Sequence, residues 1–512
     1  MEFRDLHNKP GVKSIWRSYS AGSDFPVLKG NITADVVVIG GGITGITCAQ
    51  LLKQQGYNVV VLEALKVGGG STGHSTGNLY VATEQGFDAI QSKYDTEALK
   101  TVIAARQYAL DTVKNTVHQL GIDCDFEPRS WYLFAADDTH AGKIDDVLEA
   151  GTAAGADIQK IAPGDIPFKH VNGVKMDNQA QFNPLRYVQQ LAKNMNADNC
   201  RIFEDSRVDE IEEDNGSIRL KTAQGTVTAK FAIHATHTPK GFMPVYQSLL
   251  GPYREYGVAV KLGSGAYPQG TFWGYYGSQR FSIRSYDHEG ERYLLAVGQP
   301  HKVGQHENNE ENIVNLEKFL KERFDVDEVT NRWGGQNYKP ADGLPYIGRK
   351  SDSSNQFIAT GFSTDGLIWG VVSAQVICDM IMGNETEYTR LFHATRHNPV
   401  KAAGKFMEEN LNNAGQILKD YLLPKSKDMD DIAVEEGRVM DVNGKKLAVY
   451  HDITGEMKAC SAICPHMGCV VHWNNVEKTW DCPCHASRFT TDGCIIEGPT
   501  LKPLQKVNLS DK

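Results

Sequence analysis

Asp35-Val36-Val37-Val38-Ile39-Gly40-Gly41-Gly42-Ile43-Thr44-Gly45 decides the fold of most of this chain. Asp35 to Ile39 reads as a buried parallel strand, a G-x-G-x-x-G turn follows, and Ile46 to Gln55 continues as a helix. Val59-Val60-Val61-Leu62 is a second strand, closed by Glu63. In such a unit Gly40 makes the tight turn, Gly42 lets the backbone approach a pyrophosphate, and Gly45 allows the helix to pack closely on the strand. The helix N-terminus then faces the phosphate and Glu63 accepts from a ribose hydroxyl. The unit predicts an α/β nucleotide-binding domain of Rossmann type, and by itself it does not separate FAD from NAD.

Further segments make the choice. They are Gly69-Gly70-Ser71-Thr72-Gly73-His74-Ser75-Thr76-Gly77, Ser206-Arg207-Val208 with Ile211, and Ala232-Ile233-His234-Ala235-Thr236-His237. Pro340-Ala341-Asp342-Gly343-Leu344-Pro345-Tyr346-Ile347-Gly348 and Ala359-Thr360-Gly361-Phe362 with Asp365-Gly366-Leu367 follow. In this order they resemble the D-amino-acid oxidase/glycine oxidase superfamily, with His237 standing where the family usually has glycine. The resemblance implies FAD as cofactor. Ser71, Thr72 and His74 would lie beneath the flavin, and the Val208 backbone would touch the adenine. Gly348, Gly361, Gly366 and Leu367 would surround the ring. It also implies an antiparallel substrate sheet interleaved with the nucleotide domain, and the β-type runs from Val258 to Val297 suit one. Arg254, Tyr256, Arg284 and Trp369 are candidates to line its pocket, since an arginine over the flavin could clamp a carboxylate bidentately. His74 falls where dimethylglycine dehydrogenase-like members bond a histidine to the flavin; the alternative is a histidine that only hydrogen-bonds nearby. Independently of the family, the apolar helix after Gly366 would aim its positive end at the flavin.

Near the end stand Cys464-Pro465-His466-Met467-Gly468-Cys469 and Cys482-Pro483-Cys484-His485-Ala486-Ser487, with 15 residues between His466 and Cys482. Two thiolates and two imidazoles suit tetrahedral zinc or a binuclear cluster with histidines on one iron and cysteines on the other. Zinc leaves the second cysteine of each loop without a role. The pattern closely resembles the Rieske [2Fe–2S] family from about Ile432 onward. The resemblance implies that Cys464 and Cys482 hold one iron, that His466 and His485 hold the other, and that Cys469 and Cys484 form a disulfide. It also implies a hydrogen bond from Ser487 to the cluster. Phe489 stands where high-potential respiratory members carry tyrosine, so one hydrogen-bond donor is missing and a lower potential is expected.

The 512 residues allow two or three domains, expected as an N-terminal arm (1–33), an oxidoreductase unit (34–425) and a small all-β Rieske domain (426–512). Trp16 and Phe25-Pro26 would anchor the arm, and the charged run Pro424 to Asp431 would be the linker. A net charge of −10 argues against nucleic acid as a partner. No apolar run is long enough to span a membrane, and no signal peptide is visible, so the cytoplasm is the expected location.

A hydride acceptor joined to a one-electron carrier makes a two-to-one-electron converter. The first expectation is a dehydrogenase that oxidises an amine or amino acid at FAD and passes electrons through the cluster to an external carrier. The alternatives are a reductase or oxygenase partner working in reverse, and a redox sensor without turnover.

Overall fold

The computed structural model describes residues 12–162, 164–396, 399–422, 429 and 431–509. Most of the expected linker, and the first eleven residues of the arm, lie outside them.

Gly30–Ile39 sits inside an eight-stranded sheet. It pairs in parallel with Gly225–His234 on one side and Val59–Leu62 on the other, so Val37 faces Ala232 and Val60. A strand paired on both edges and covered on both faces must be apolar throughout, which is why Val36, Val37 and Val38 run without a polar interruption and are fully buried. The helix Ile43–Gln54 covers this sheet and is crossed by the apolar helix Gly366–Met382. The crossing is close because Gly370 has no side chain; a Cβ there would lie 2.7 Å from Thr44 Oγ1.

The chain leaves this sheet and returns to it repeatedly. In between it builds a nine-stranded, largely antiparallel sheet whose centre is Leu250–Leu262, Thr271–Tyr276, Gln279–His288 and Glu291–Lys302. The predicted interleaving is therefore observed. Two four-stranded sheets between Gly437 and Val507 form the C-terminal domain.

The arm is held as its aromatic residues suggested. Trp16 is fully buried, and Trp16 Nε1, Ser14 Oγ and Arg17 Nη2 donate to the carbonyls of Ser75, Gly73 and Gly69. The arm thus clamps the Gly69–Gly77 loop from outside.

The C-terminal domain packs against the oxidoreductase body through buried polar contacts. Arg254 of the body pairs with Glu477 and lies 3.7 Å from Glu497. Arg488 bridges the same glutamates and Asp481 at 2.7–3.1 Å. The helix Pro399–Leu422 lies alongside with its polar residues inward: Glu409 pairs with Lys302 and Asp420 with His472, while Met407, Leu411 and Leu418 face solvent.

Candidate active site and metal centre

A cavity of about 280 Å³ runs from the end of Gly30–Ile39 to the large sheet. At its nucleotide end the turn is set by sterics. Gly40 has φ +107°, and a Cβ there would lie 2.4 Å from the Ala235 carbonyl oxygen; one on Gly45 would lie 2.0 Å from that of Gly40. Only glycine fits either position. The Glu63 carboxylate accepts from the backbone N–H groups of Gly41 and Leu65 at 2.6 and 2.8 Å. Burial pushes its pKa up against these bonds. Thr72 Oγ1 accepts from Ile43 N at the helix start, tying the Gly69–Gly77 loop to the glycine-rich turn. Arg207, Val208 and Lys240 line the same end. Burial pulls the Lys240 ammonium down to about 7, helped by the nearby Arg207 charge. A phosphate beside the two would favour the charged form.

Ser71, Thr72, His74, Gly366 and Leu367 all line the cavity. The His74 Nδ1 hydrogen-bonds the Gly70 carbonyl at 2.8 Å, and burial lowers its pKa to about 4. His237 adopts φ +67°, the left-handed conformation that glycine favours. Its Nδ1 is held by Ser71 Oγ at 2.9 Å, and its ring meets Tyr338 edge-on.

Six expected positions fall outside the cavity lining. Side chains alternate along Leu250–Leu262, so Glu255 and Gly257 line the cavity while Arg254 and Tyr256 face the C-terminal domain. Arg284 is also diverted, because its guanidinium donates to the carbonyls of Thr76 and Gly77 and stacks on Trp16. It supports the Gly69–Gly77 loop. Trp369 packs on Arg106 and Phe392 inside the body. Gly348 serves helix packing, since a Cβ there would lie 2.7 Å from the Met380 sulfur. Gly361, at φ +77°, forms the turn that delivers Phe362 and Ser363 to the cavity wall.

The cavity wall toward the large sheet carries instead Glu255, Arg280, Tyr80 and Trp273. Arg280 lies 4.7 Å over the Trp273 ring and donates to the Glu84 carbonyl and carboxylate. Burial raises the Glu255 pKa, opposed by the charges of Lys339 and Arg280. No motif marks these residues; the pleat of the sheet selects Glu255, Trp273 and Arg280, and Tyr80 follows the short strand Asn78–Leu79.

In the C-terminal domain Cys469 and Cys484 form the expected disulfide. The Cys482 sulfur lies within 4.8 Å of both disulfide sulfurs, with the Cys464 thiol beside it. The rings of His466 and His485 lie 5.0 Å apart, crossed at 82°. Both Nδ1 atoms are buried without a hydrogen-bond partner among the described residues. Ser487 Oγ is buried beside Cys464 with no nitrogen or oxygen partner. Two adjacent thiols, two orphaned imidazole nitrogens and an orphaned hydroxyl suit a mixed-ligand cluster, with Ser487 placed to donate to it.

Residues 35–380 match the model of the FAD dependent oxidoreductase family (DAO), and residues 420–508 match that of the Rieske [2Fe-2S] domain. The chain belongs to the FAD-dependent oxidoreductase family and carries a Rieske domain at its C-terminal end; its cofactors are FAD and a [2Fe–2S] cluster. It is 29% identical to the putative Rieske 2Fe-2S iron-sulfur protein YhfW of Bacillus subtilis over 98% of both chains. It is 27% identical to gamma-glutamylputrescine oxidoreductase of Escherichia coli over 41% of this chain and 50% of that one. Glycine oxidase from Geobacillus kaustophilus shares the fold with a TM-score of 0.59 at 19% identity, covering 72% of this chain and 99% of that one. Among the described residues no helix is long and apolar enough to cross a membrane.

Proposed function

We propose that this protein is a dehydrogenase that oxidises an amine or amino acid and delivers the electrons singly to an external carrier. FAD supplies a hydride acceptor and the cluster a one-electron relay. Cys464, Cys482, His466 and His485 are the proposed cluster ligands.

One observation carries this reading: the C-terminal domain forms part of the wall of the FAD cavity. Ile496, Glu497, Thr500 and Leu501 line it beside Lys240 and His237. Gln336, also in the wall, donates to the Ala486 carbonyl at 3.2 Å, and the neighbouring Tyr338 hydroxyl donates to that of His485 at 3.3 Å. The wall of one cofactor site is thus hydrogen-bonded to the loop that carries the proposed ligand His485, which supports electron passage between the two. At the substrate end Glu255 would hold the amine and Arg280 an anionic group, while Trp273 and Tyr80 exclude water. The similarity to a relative named for gamma-glutamylputrescine supports an amine-bearing substrate.

The test is an anaerobic titration with a panel of secondary amines and amino acids, followed by flavin absorbance and EPR of frozen samples. Bleaching with a rhombic reduced-cluster signal is the expected result. If no compound bleaches the flavin while dithionite still produces the signal, the proposed substrate class or direction is wrong.

A further inference from the structure

His466, a proposed ligand, is hydrogen-bonded to a residue of the other domain: its Nε2 lies 3.0 Å from Gln247 Oε1. Gln247 is buried in the short helix Pro244–Ser248 of the oxidoreductase body. The orientation of its amide is fixed by its surroundings. The Met243 N–H, which can only donate, points at Oε1 at 3.1 Å, and the Gly241 carbonyl, which can only accept, meets Nε2 at 2.7 Å. The oxygen therefore faces His466, so Nε2 of the imidazole must carry the proton. The other ring nitrogen, Nδ1, is then the one with the lone pair, and it is the buried atom without a partner.

We propose that Gln247 is a positioning residue for the cluster: from the flavin domain it fixes the tautomer of His466, presents Nδ1 to iron, and lowers the reduction potential. This rests on the assignment of His466 as a ligand. An acceptor on Nε2–H shifts electron density toward Nδ1 and makes the imidazole a stronger donor. Stronger donation favours the more positive, oxidised cluster, so the midpoint falls. The glutamine is 219 residues away from His466 in sequence and belongs to the other domain, so this tuning exists only while the two domains are docked.

Two variants of the full holoprotein test this by EPR-monitored redox titration. Gln247→Leu removes the acceptor and should raise the midpoint by a tenfold change in the one-electron equilibrium, about 59 mV. Gln247→Glu keeps an oxygen facing His466 and adds negative charge, so its midpoint should fall below that of the wild type. Loss of the bond to Gly241 is common to both variants and the carboxylate lowers the midpoint by its charge alone, so the rise in Gln247→Leu is what separates an acceptor on His466 from a purely structural role. Shifts of the same sign, or none, with the rhombic signal intact would overturn the role of Gln247. Absence of that signal from iron-replete wild-type protein would instead overturn the ligand assignment, and the inference with it.

Discussion

Replacing Arg254 by methionine removes the cation that the oxidoreductase body contributes to the buried network at the domain junction. That network holds Arg254 and Arg488 against Glu477, Glu497 and Asp481. The Arg254 side chain is 2% exposed and that of Glu477 12%, so water screens the pair little. Without Arg254, one guanidinium is left among three carboxylates. Breaking a buried pair from one side costs about 3–5 kcal/mol, because the partner charge stays buried without compensation. Arg254→Met should therefore destabilise docking by about that amount, and adding Glu477→Gln should recover more than half of it. Urea unfolding followed separately by flavin fluorescence and cluster circular dichroism measures both. A single variant costing less than about 1 kcal/mol, or a double variant no better than the single, would refute the reasoning. The pH dependence has a definite sign. Burial pushes the Glu477 and Glu497 carboxyls up, but Arg254 and Arg488 outweigh it and hold both below the ordinary range. A group lowered in the folded state contributes stability above its unfolded pKa, near 4.3 for glutamate, that is lost as pH falls through the folded value. Wild-type docking should thus weaken only under acid conditions, and Arg254→Met should move that loss to higher pH.

Gly45→Ala should cut FAD retention at least tenfold, about 1.4 kcal/mol, read from the flavin-to-protein absorbance ratio; normal flavin content would show that the turn tolerates a methyl group. Glu255→Gln should lower kcat/KM for a cationic amine roughly tenfold to a hundredfold while leaving flavin content unchanged. An unchanged kcat/KM would remove Glu255 from substrate binding. Cys464→Ser should abolish the rhombic EPR signal and keep the bound FAD, whereas a persisting signal would remove Cys464 from the ligand set. If His74 only hydrogen-bonds near the flavin, as its bond to the Gly70 carbonyl illustrates, acid precipitation should put the yellow colour in the supernatant. A yellow pellet would show a covalent bond.

The features legible in the sequence were those that a few adjacent residues fix among themselves. Gly45 must be glycine because of the Gly40 carbonyl five residues before it, and a strand paired on both edges shows itself as an unbroken apolar run. The contact that requires Gly40 comes from distant Ala235, but the spacing of the turn already marked it. Both loops proposed to hold the cluster are short, so Cys-x-His and Cys-x-x-His bring a thiol and an imidazole together with little help from elsewhere. The arm was legible for a similar reason: Trp16 and Phe25 stood out in an otherwise polar stretch, and both are buried.

What lay beyond the sequence was the facing of side chains and the meeting of distant segments. Leu250–Leu262 has a polar or aromatic residue at 253, 254, 255 and 256 in succession. A strand alternates with period two, so a shift of one residue exchanges the cavity face for the domain face. Tertiary packing set that parity, placing Glu255 in the cavity and Arg254 at the junction. Arg284 looked equally suited to a substrate and was drawn instead to the carbonyls of Thr76 and Gly77. The closing of Lys240 and His237 under the C-terminal domain, and the bond between Gln247 and His466, join residues more than two hundred positions apart. Local sequence carries the chemistry of each group. Which groups share a buried space, and therefore a charge balance, is decided by how the layers pack.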